Sequence, residues 1–375
     1  GNLFAAILGC LIAFGVLFGM FLIFIALISS EDDTKTVKSN SILEIQLQNP
    51  IEDYVGGDSA DPFAGLFQQS QGLDEILHAI AVAKTDDKIK GISINNNFVI
   101  AGLSQTQAIR AALQDFKESG KFIYSYADIY TQKDFYLSSV ADSLFINEVG
   151  ILDFKGLSSE VLFYKNLQEK TGIKMEVIRH GKYKSAVEPY LSNEMSDANR
   201  TQIKELLSSL WNSMINEVAV SRNLTVENLN SIADTLGGRT PELAKKSNLI
   251  DDILFFDEYE NKLKNALKSS LKDDINYITL EDYIPNAKKK VLFKGEDKIA
   301  VIYAQGEILY GEGGPSFIGQ GIINSSLKKA REDKNVKAIV LRVNSPGGSA
   351  LTSDIIWREI EITKGIKPVI VSMGD

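Results

Sequence analysis

The run Gly181-Lys182-Tyr183-Lys184-Ser185-Ala186-Val187-Glu188-Pro189-Tyr190 places two lysines, a tyrosine, a serine and a glutamate within ten residues, ahead of an amphipathic stretch. Small and apolar neighbours such as Ser185, Ala186 and Val187 can keep water from a lysine, and desolvation is what makes a lysine useful as a base. A lysine amine ordinarily titrates at about 10.4, so service near neutrality requires its ammonium form to be disfavoured by about 4 kcal/mol. The competing reading is that Lys182 and Lys184 are solvated surface charges, the usual state of lysine. A second candidate is Asn344-Ser345-Pro346-Gly347-Gly348-Ser349, directly after a strand expected over 338–343. A Pro-Gly-Gly turn leaves backbone N–H groups uncovered by side chains, and such groups at Gly347 and Gly348 can receive a developing oxyanion. Ser345 and Ser349 could serve as nucleophiles, although neither lies in a Gly-x-Ser-x-Gly elbow. A plain tight turn accounts for the same residues.

The elements that would position these groups need a long chain, and 375 residues allow two domains with separate cores. The net charge is −9, and the longest basic run, Lys288-Lys289-Lys290, is too short to suggest nucleic acid. Cys10 is the sole cysteine and lies in the apolar N-terminal run, so the rest of the chain can form no disulfide. With His78 and His180 as the only histidines, soft ligands are too few for a zinc site, and no cofactor is expected. The same scarcity disfavours a Ser-His-Asp triad, although His180 beside the lysine stretch leaves one open.

Residues 3–29 carry no charge and are long enough to span a bilayer, which predicts an uncleaved signal anchor ahead of Glu31-Asp32-Asp33. An alternating strand is expected over 41–47, a mobile Gly/Asp/Pro/Gln-rich loop over 53–72, and a helix from Leu73 towards Lys84 that carries His78 as a packed or surface residue. Then follow a strand over 89–95, a helix over 106–119 and a strand over 121–127. Strands alternating with helices argue a parallel sheet covered by helices. Ser196 is placed to cap a helix whose Ile203, Leu206, Leu207, Leu210, Met214 and Val218 recur at helical spacing and should pack on the sheet or on a neighbouring domain. Beyond it, 241–251 reads as helix and turn, 262–272 as a polar helix, and 284–298, with Pro285 and Gly295, as a linker.

The chain also repeats itself. Lys84-Thr85-Asp86-Asp87-Lys88-Ile89-Lys90-Gly91-Ile92-Ser93-Ile94 aligns with Arg331-Glu332-Asp333-Lys334-Asn335-Val336-Lys337-Ala338-Ile339-Val340-Leu341. The segments 121–125 and 367–371 align at nearly the same offset, and the strand at 42–47 matches 299–303. In the first copy, Asn97-Phe98-Val99-Ile100-Ala101-Gly102 stands where the second has Asn344 to Ser349, so Pro-Gly-Gly belongs to one copy alone.

Tyr183-Lys184-Ser185-Ala186-Val187-Glu188-Pro189, the Asn344–Ser349 turn and the segment Pro368-Val369-Ile370-Val371-Ser372-Met373-Gly374-Asp375 together resemble signal peptide peptidases of the protease IV type (peptidase family S49). Phe154-Lys155-Gly156-Leu157 and Ala244-Lys245-Lys246-Ser247-Asn248-Leu249-Ile250-Asp251 support the likeness. These are membrane-anchored members of the Clp protease/crotonase superfamily. The resemblance implies an α/β fold of tandem Clp protease/crotonase-like domains behind one transmembrane helix. The divisions expected are an anchor at 3–29, a first domain at 41–283, a linker at 284–298 and the start of a second domain from 299.

It further implies a serine–lysine dyad with Lys184 as general base and Gly347 and Gly348 at the oxyanion. The nucleophilic serine is expected in a small-small-Ser-Gly-Gly run C-terminal to residue 375, so that the chain as far as Asp375 would be inactive alone. The first copy has Tyr130-Thr131-Gln132-Lys133-Asp134 in that place, without a serine. The activity implied is endoproteolysis of signal peptides left in the membrane after preprotein cleavage. The site would face the periplasm from a single-pass anchor in a bacterial inner membrane, in a homo-oligomer, a tetramer for the two-copy form. The rival reading is a catalytically silent scaffold or binding module of the same fold. An acyl-CoA-handling crotonase relative is disfavoured by the anchor and the lysine motif.

Overall fold

The computed structural model describes residues 2–29, 35–56, 70–96, 98–293 and 295–375. In chain order, α1 (Asn2–Ser29) is followed by β1 (Ser41–Ile45), β2 (Ile51–Glu52), β3 (Gln71–Gly72), α2 (Leu73–Thr85), β4 (Ile89–Asn95), α3 (Leu103–Lys117) and β5 (Phe122–Tyr130). Next come α4 (Gln132–Ser138), β6 (Ser143–Leu152), α5 (Lys165–Thr171), α6 (Glu188–Leu191), α7 (Asp197–Arg222), α8 (Val226–Asp234), α9 (Pro241–Lys246), β7 (Asp252–Ile253) and α10 (Phe256–Ala266). The remainder is β8 (Asn276–Thr279), α11 (Leu280–Lys288), β9 (Lys298–Gln305), β10 (Glu307–Ile308), β11 (Phe317–Ile318), α12 (Gln320–Glu332), β12 (Val336–Asn344), α13 (Ala350–Lys364) and β13 (Val369–Met373). Two compact units emerge: one of Gly1–Phe122 with Lys264–Asp375, the other of Ile123–Leu263.

Helix α1 contains a 20-residue stretch, Phe4–Ile23, with mean hydropathy 2.7 and none of it buried. At 1.5 Å per residue, a helix of that size extends about 30 Å, enough to cross a hydrocarbon core. The acidic flank at 31–33 lies outside the described residues.

Both copies of the repeat contribute a set of parallel strands to the first unit. In one, β1 lies between β4 and β8, all parallel. In the other, β12 lies between β9 and β13, again all parallel. The copies share small details. α2 and α12 have 13 residues each, and α3 and α13 have 15 each. Each β-pair slips register at its first residue, between Ser41 and Ile42 and between Val336 and Ala338. Lys121 Nζ donates to the carbonyls of Ala83 and Asp86, both at 2.7 Å. Lys367 Nζ makes the corresponding bonds to Ala330 and Asp333, at 2.8 and 2.5 Å. A polar contact recurring between matching helix ends shows that the duplication extends to tertiary structure.

The strand at 41–47 was expected to alternate, but Ile42, Leu43 and Ile45 are all buried. Its position between two parallel neighbours, with helices on the sheet, explains why both faces are apolar. The stretch 53–72 is also not loop throughout. Its last two residues, β3, pair in parallel with β2 just ahead of the stretch, and Asp53 is buried, while 57–69 lie outside the described residues. Helix α3 starts at Leu103, three residues earlier than predicted, with the Gln105 side chain accepting from the Gly102 N–H. The first residues of the stretch expected to link the copies are helical: α11 runs to Lys288 through Pro285 and buries Tyr283, Ile284 and Ala287.

In the second unit β6 pairs in parallel with β5 and β7. Tyr126 stacks on Tyr259 at 5.2 Å between centroids, and the Tyr130 hydroxyl, buried at the sheet, donates to the Phe145 carbonyl at 3.0 Å. α7 is capped by Ser196 as predicted, with the Asn199 N–H on its Oγ at 3.3 Å. Its packing departs from expectation. Met214, Ile215, Val218 and Ala219 are buried, but Leu206 is 57% exposed and Ile203, Leu207 and Leu210 are only half-buried. The C-terminal half is held by Arg222, which forks onto Asp251 at 2.9 and 3.0 Å. The polar helix predicted over 262–272 lies earlier, at α10, because Tyr259 and Leu263 are the buried anchors and Lys268 turns the chain with φ +55°.

Candidate active-site elements

The Pro-Gly-Gly turn lies in the first unit, between β12 and α13. Gly347 has φ +106° and Gly348 φ +153°, backbone conformations that favour glycine. Gly348 is bridged to Ile308: the Ile308 N–H donates to the Gly347 carbonyl at 2.9 Å, and the Ser349 N–H donates to the Ile308 carbonyl at 2.8 Å. A Cβ on Gly348 would stand 2.2 Å from the Ile308 oxygen, so only glycine permits this approach. Because the bridge uses groups on either side of Gly348, the N–H of Gly348 itself points away from Ile308. The N–H of Gly347 is already engaged, donating to Ser345 Oγ at 3.1 Å.

Both serines of the turn have structural duties. Ser345 Oγ donates to the Gly306 carbonyl at 2.6 Å, and Ser349 Oγ caps α13 by accepting from the Thr352 N–H at 3.2 Å. In the first copy the Ile51 N–H donates to the Ile100 carbonyl at 3.1 Å, reproducing the bond between Ile308 and Gly347. The backbone crossing is therefore common to both copies. Ile100 and Ala101 occupy in one what Gly347 and Gly348 occupy in the other, and Asn97 lies outside the described residues.

The lysine stretch lies in the second unit. Lys184 is exposed, and its Nζ has no hydrogen bond or ion pair among the described residues. Its backbone is held on both sides, its N–H on the Gly181 carbonyl at 3.5 Å and its carbonyl on Arg179 Nη1 at 3.4 Å. The desolvation expected from Ser185, Ala186 and Val187 is thus not supplied by the stretch itself, whose residues 181–184 are all exposed. Lys182 Nζ sits over the Tyr183 ring at 5.0 Å. His180 is exposed, whereas His78 Nε2 meets the Ala287 carbonyl at 3.1 Å, a packed histidine as predicted.

Glu188 has a defined task. It is 5% exposed, and its carboxylate accepts from the Ser196 N–H at 3.2 Å and from Asn199 Nδ2 at 2.6 Å. It thereby ties the lysine stretch to the start of α7. The same end is fastened further by the Tyr164 N–H on the Pro189 carbonyl at 2.7 Å and by stacking of Tyr164 on Tyr190. The Ser196 hydrogen bond holds the Glu188 carboxyl below its ordinary 4.5; burial opposes this, while Asn199 and Arg179 reinforce it. A depressed carboxyl pKa stabilises the fold above the unfolded-state value, and that contribution is lost as pH falls through the folded-state value. Glu188→Ala removes both acceptors and leaves the Asn199 amide buried without a partner, a cost of about 2 kcal/mol at neutral pH. Melting curves of the two proteins should differ most near pH 7 and converge in acid below the ordinary carboxylate range. A gap independent of pH would show that the carboxylate charge is not what anchors the stretch.

No group of three or more His, Cys, Asp and Glu side chains capable of holding a metal ion occurs among the described residues.

A model of peptidase family S49 matches residues 115–270, a span that contains Lys184 and ends ahead of β9. The chain is 36% identical over 310 residues to Protease 4 of Haemophilus influenzae, covering 80% of this chain and 50% of that protein. It is 35% identical over 315 residues to Protease 4 of Salmonella typhi, covering 82% and 50%. To the chloroplastic serine protease SPPA of Arabidopsis thaliana it is 30% identical over 344 residues, covering 90% and 50%. The chain spans about half the length of these curated relatives.

Proposed function

Because this chain belongs to peptidase family S49, we propose that it supplies the base and an oxyanion donor of a membrane-anchored serine–lysine endopeptidase. The observation that carries this reading is the Gly347–Gly348 turn. It is built so that a backbone N–H at Gly348 is presented outward from a rigid bridge, in the one copy where side chains leave room for it. The nucleophile is a serine C-terminal to residue 375 in the full-length protein. Its Oγ attacks the scissile carbonyl carbon while Lys184 Nζ, in its neutral form, accepts the hydroxyl proton. The carbonyl oxygen becomes an oxyanion and is stabilised by the Gly348 N–H, with a second N–H from the residue after the nucleophile. The Lys184 ammonium then returns its proton to the leaving amine, and water releases the acyl group by the same steps in reverse order of roles. Of the two glycines, Gly348 is the donor and Gly347 the support, since the Gly347 N–H is taken by Ser345.

The apolar stretch Phe4–Ile23 suits attachment to a bilayer, with the rest of the chain on the periplasmic side of a bacterial inner membrane. A peptidase held there meets apolar peptides released in the membrane, and signal peptides remaining after preprotein cleavage are the proposed substrates. The assembly is a homo-oligomer, a tetramer. The test is hydrolysis of a synthetic signal peptide by the full-length protein in detergent, together with labelling by a serine-directed fluorophosphonate. Turnover that is abolished by labelling one serine per chain is the expected result. A well-folded, oligomeric protein that neither cleaves nor labels would replace the peptidase with a silent scaffold of the same fold.

A further inference from the structure

Within the first unit, the end of β13 is tied to the other copy by side chains that the mechanism above does not use. Arg342 projects from β12 with its side chain 16% exposed and reaches three partners at short range. Its Nε donates to Asp53 Oδ2 at 2.8 Å, and its Nη1 donates to Ser372 Oγ at 3.0 Å and to the Met373 carbonyl at 2.8 Å. Asp53, 2% exposed, also accepts from Gln105 Nε2 at 3.0 Å, and Gln105 belongs to the first turn of α3. That same turn binds the last side chain of β13's exit. The Asp375 carboxylate accepts from the Ser104 N–H and Ser104 Oγ, both at 2.8 Å, and from the Gln105 N–H at 3.3 Å.

A carboxylate on free N–H groups at a helix start is a favourable pairing of charge and dipole. Here the helix makes room for it. A Cβ at Gly102 would come within 2.0 Å of Asp375 Oδ2, although Gly102 has an ordinary φ of −68°. Glycine serves at this position for space, not for backbone freedom.

The location gives the contact a use. The β12–β13 ladder ends at Val343 and Met373, and the Gly374 N–H closes on the Val343 carbonyl at 2.6 Å. The chain therefore leaves β13 beside Asn344, from which the Ser345–Gly348 turn begins. In parallel α/β sheets, ligands bind outside the carboxyl ends of the strands. The Arg342 contacts fall on the last two rungs of this ladder and the Asp375 contacts lie beyond it, so together they carry the hold on β13 past its pairing and fix the direction of the segment that follows.

We infer that Arg342 and Asp375 are positioning residues for the proposed peptidase site. They clamp the exit of β13 onto the first turn of α3 in the other copy and so set the backbone beside the Gly348 turn. This rests on the reading of that turn as the oxyanion site. The clamp also explains one consequence of the duplication: the copy without Pro-Gly-Gly contributes the helix end that holds the copy with it.

The test uses the full-length protein with Asp375→Ala, Asp375→Asn and Gly102→Ala, assayed with a synthetic signal peptide beside wild type and Lys184→Ala. Displacement of reacting groups by about 1 Å costs on the order of 100-fold in rate. Asp375→Ala and Gly102→Ala are expected to lower kcat by about 30-fold or more, with KM within about twofold and labelling by fluorophosphonate slowed in parallel. Asp375→Asn, which keeps an acceptor for Ser104, should fall between wild type and Asp375→Ala. Unchanged kcat in Asp375→Ala and Gly102→Ala, with Lys184→Ala inactive, would overturn the clamp and leave the peptidase reading intact. Lower melting temperatures with unaltered kcat per labelled serine would overturn it as well, assigning these residues to stability alone. An inert wild-type protein would overturn both readings together.

Discussion

Lys184→Ala is expected to reduce peptide turnover by the full-length protein about 1,000-fold, within the range that general base catalysis contributes. The folded state should scarcely notice. Lys184 is exposed, its Nζ has no partner among the described residues, and its backbone contacts to Gly181 and Arg179 do not involve the side chain. Substitutions of that kind alter stability by about 0.5 kcal/mol or less, so the melting temperature serves as the control. Lys184→Arg separates two roles that alanine confounds. A guanidinium keeps the positive charge but cannot surrender its proton in a protein. If Lys184 acts as the base, Lys184→Arg is as inactive as Lys184→Ala. Recovery of most turnover in Lys184→Arg would instead mean that the residue binds substrate as a cation, and the base would have to be sought elsewhere.

The second large effect is expected at Gly348. Gly348→Ala forces a Cβ against the Ile308 backbone, 2.2 Å from its oxygen, at φ +153°. The bridge must open and the Gly348 N–H must turn from its place. Removing one oxyanion donor costs roughly 100- to 1,000-fold in kcat, and the distorted turn should lower stability by about 2 kcal/mol. Gly347→Ala provides the contrast. Its φ of +106° is strained for alanine, but nothing lies within 4 Å of the added Cβ. About 1 kcal/mol of stability is the expected loss there, with kcat reduced far less than in Gly348→Ala. Measured turnover per fluorophosphonate-labelled serine removes the contribution of unfolded protein. Equal losses in both variants on that scale would show that Gly348 holds no special place at the oxyanion.

Much of the fold was legible because it is periodic or local. The strand at 89–95 was read to the residue, and the Ser196 cap needed only a serine three residues ahead of a backbone N–H it can reach. Where the reading went astray, tertiary context had overruled local pattern. Leu206 and its apolar neighbours carry helical spacing, yet Leu206 is exposed and the others only half-buried, because spacing states which residues share a face and not what that face meets. In sequence Glu188 is only one more charge in the lysine stretch. Its carboxylate instead fastens the start of the next helix, a bond whose direction no sequence pattern encodes.

By itself the sequence determined the duplicated α/β plan, the apolar N-terminal helix, and the two stretches proposed to carry chemistry, since hydrophobic period, Pro-Gly-Gly and a lysine among small residues are all written locally. Only the tertiary structure decided which glycine presents its N–H, that Ser345 and Ser349 are structural, and that Asp53 is buried. It also brought Arg342 to Asp53 across 289 residues and Asp375 to Ser104 across 271. Contacts of that separation depend on how two copies of one unit meet in space. A charged residue on a strand end or in a loop looks the same in sequence whether it meets water or a helix terminus, and the difference lies wholly in its distant neighbours.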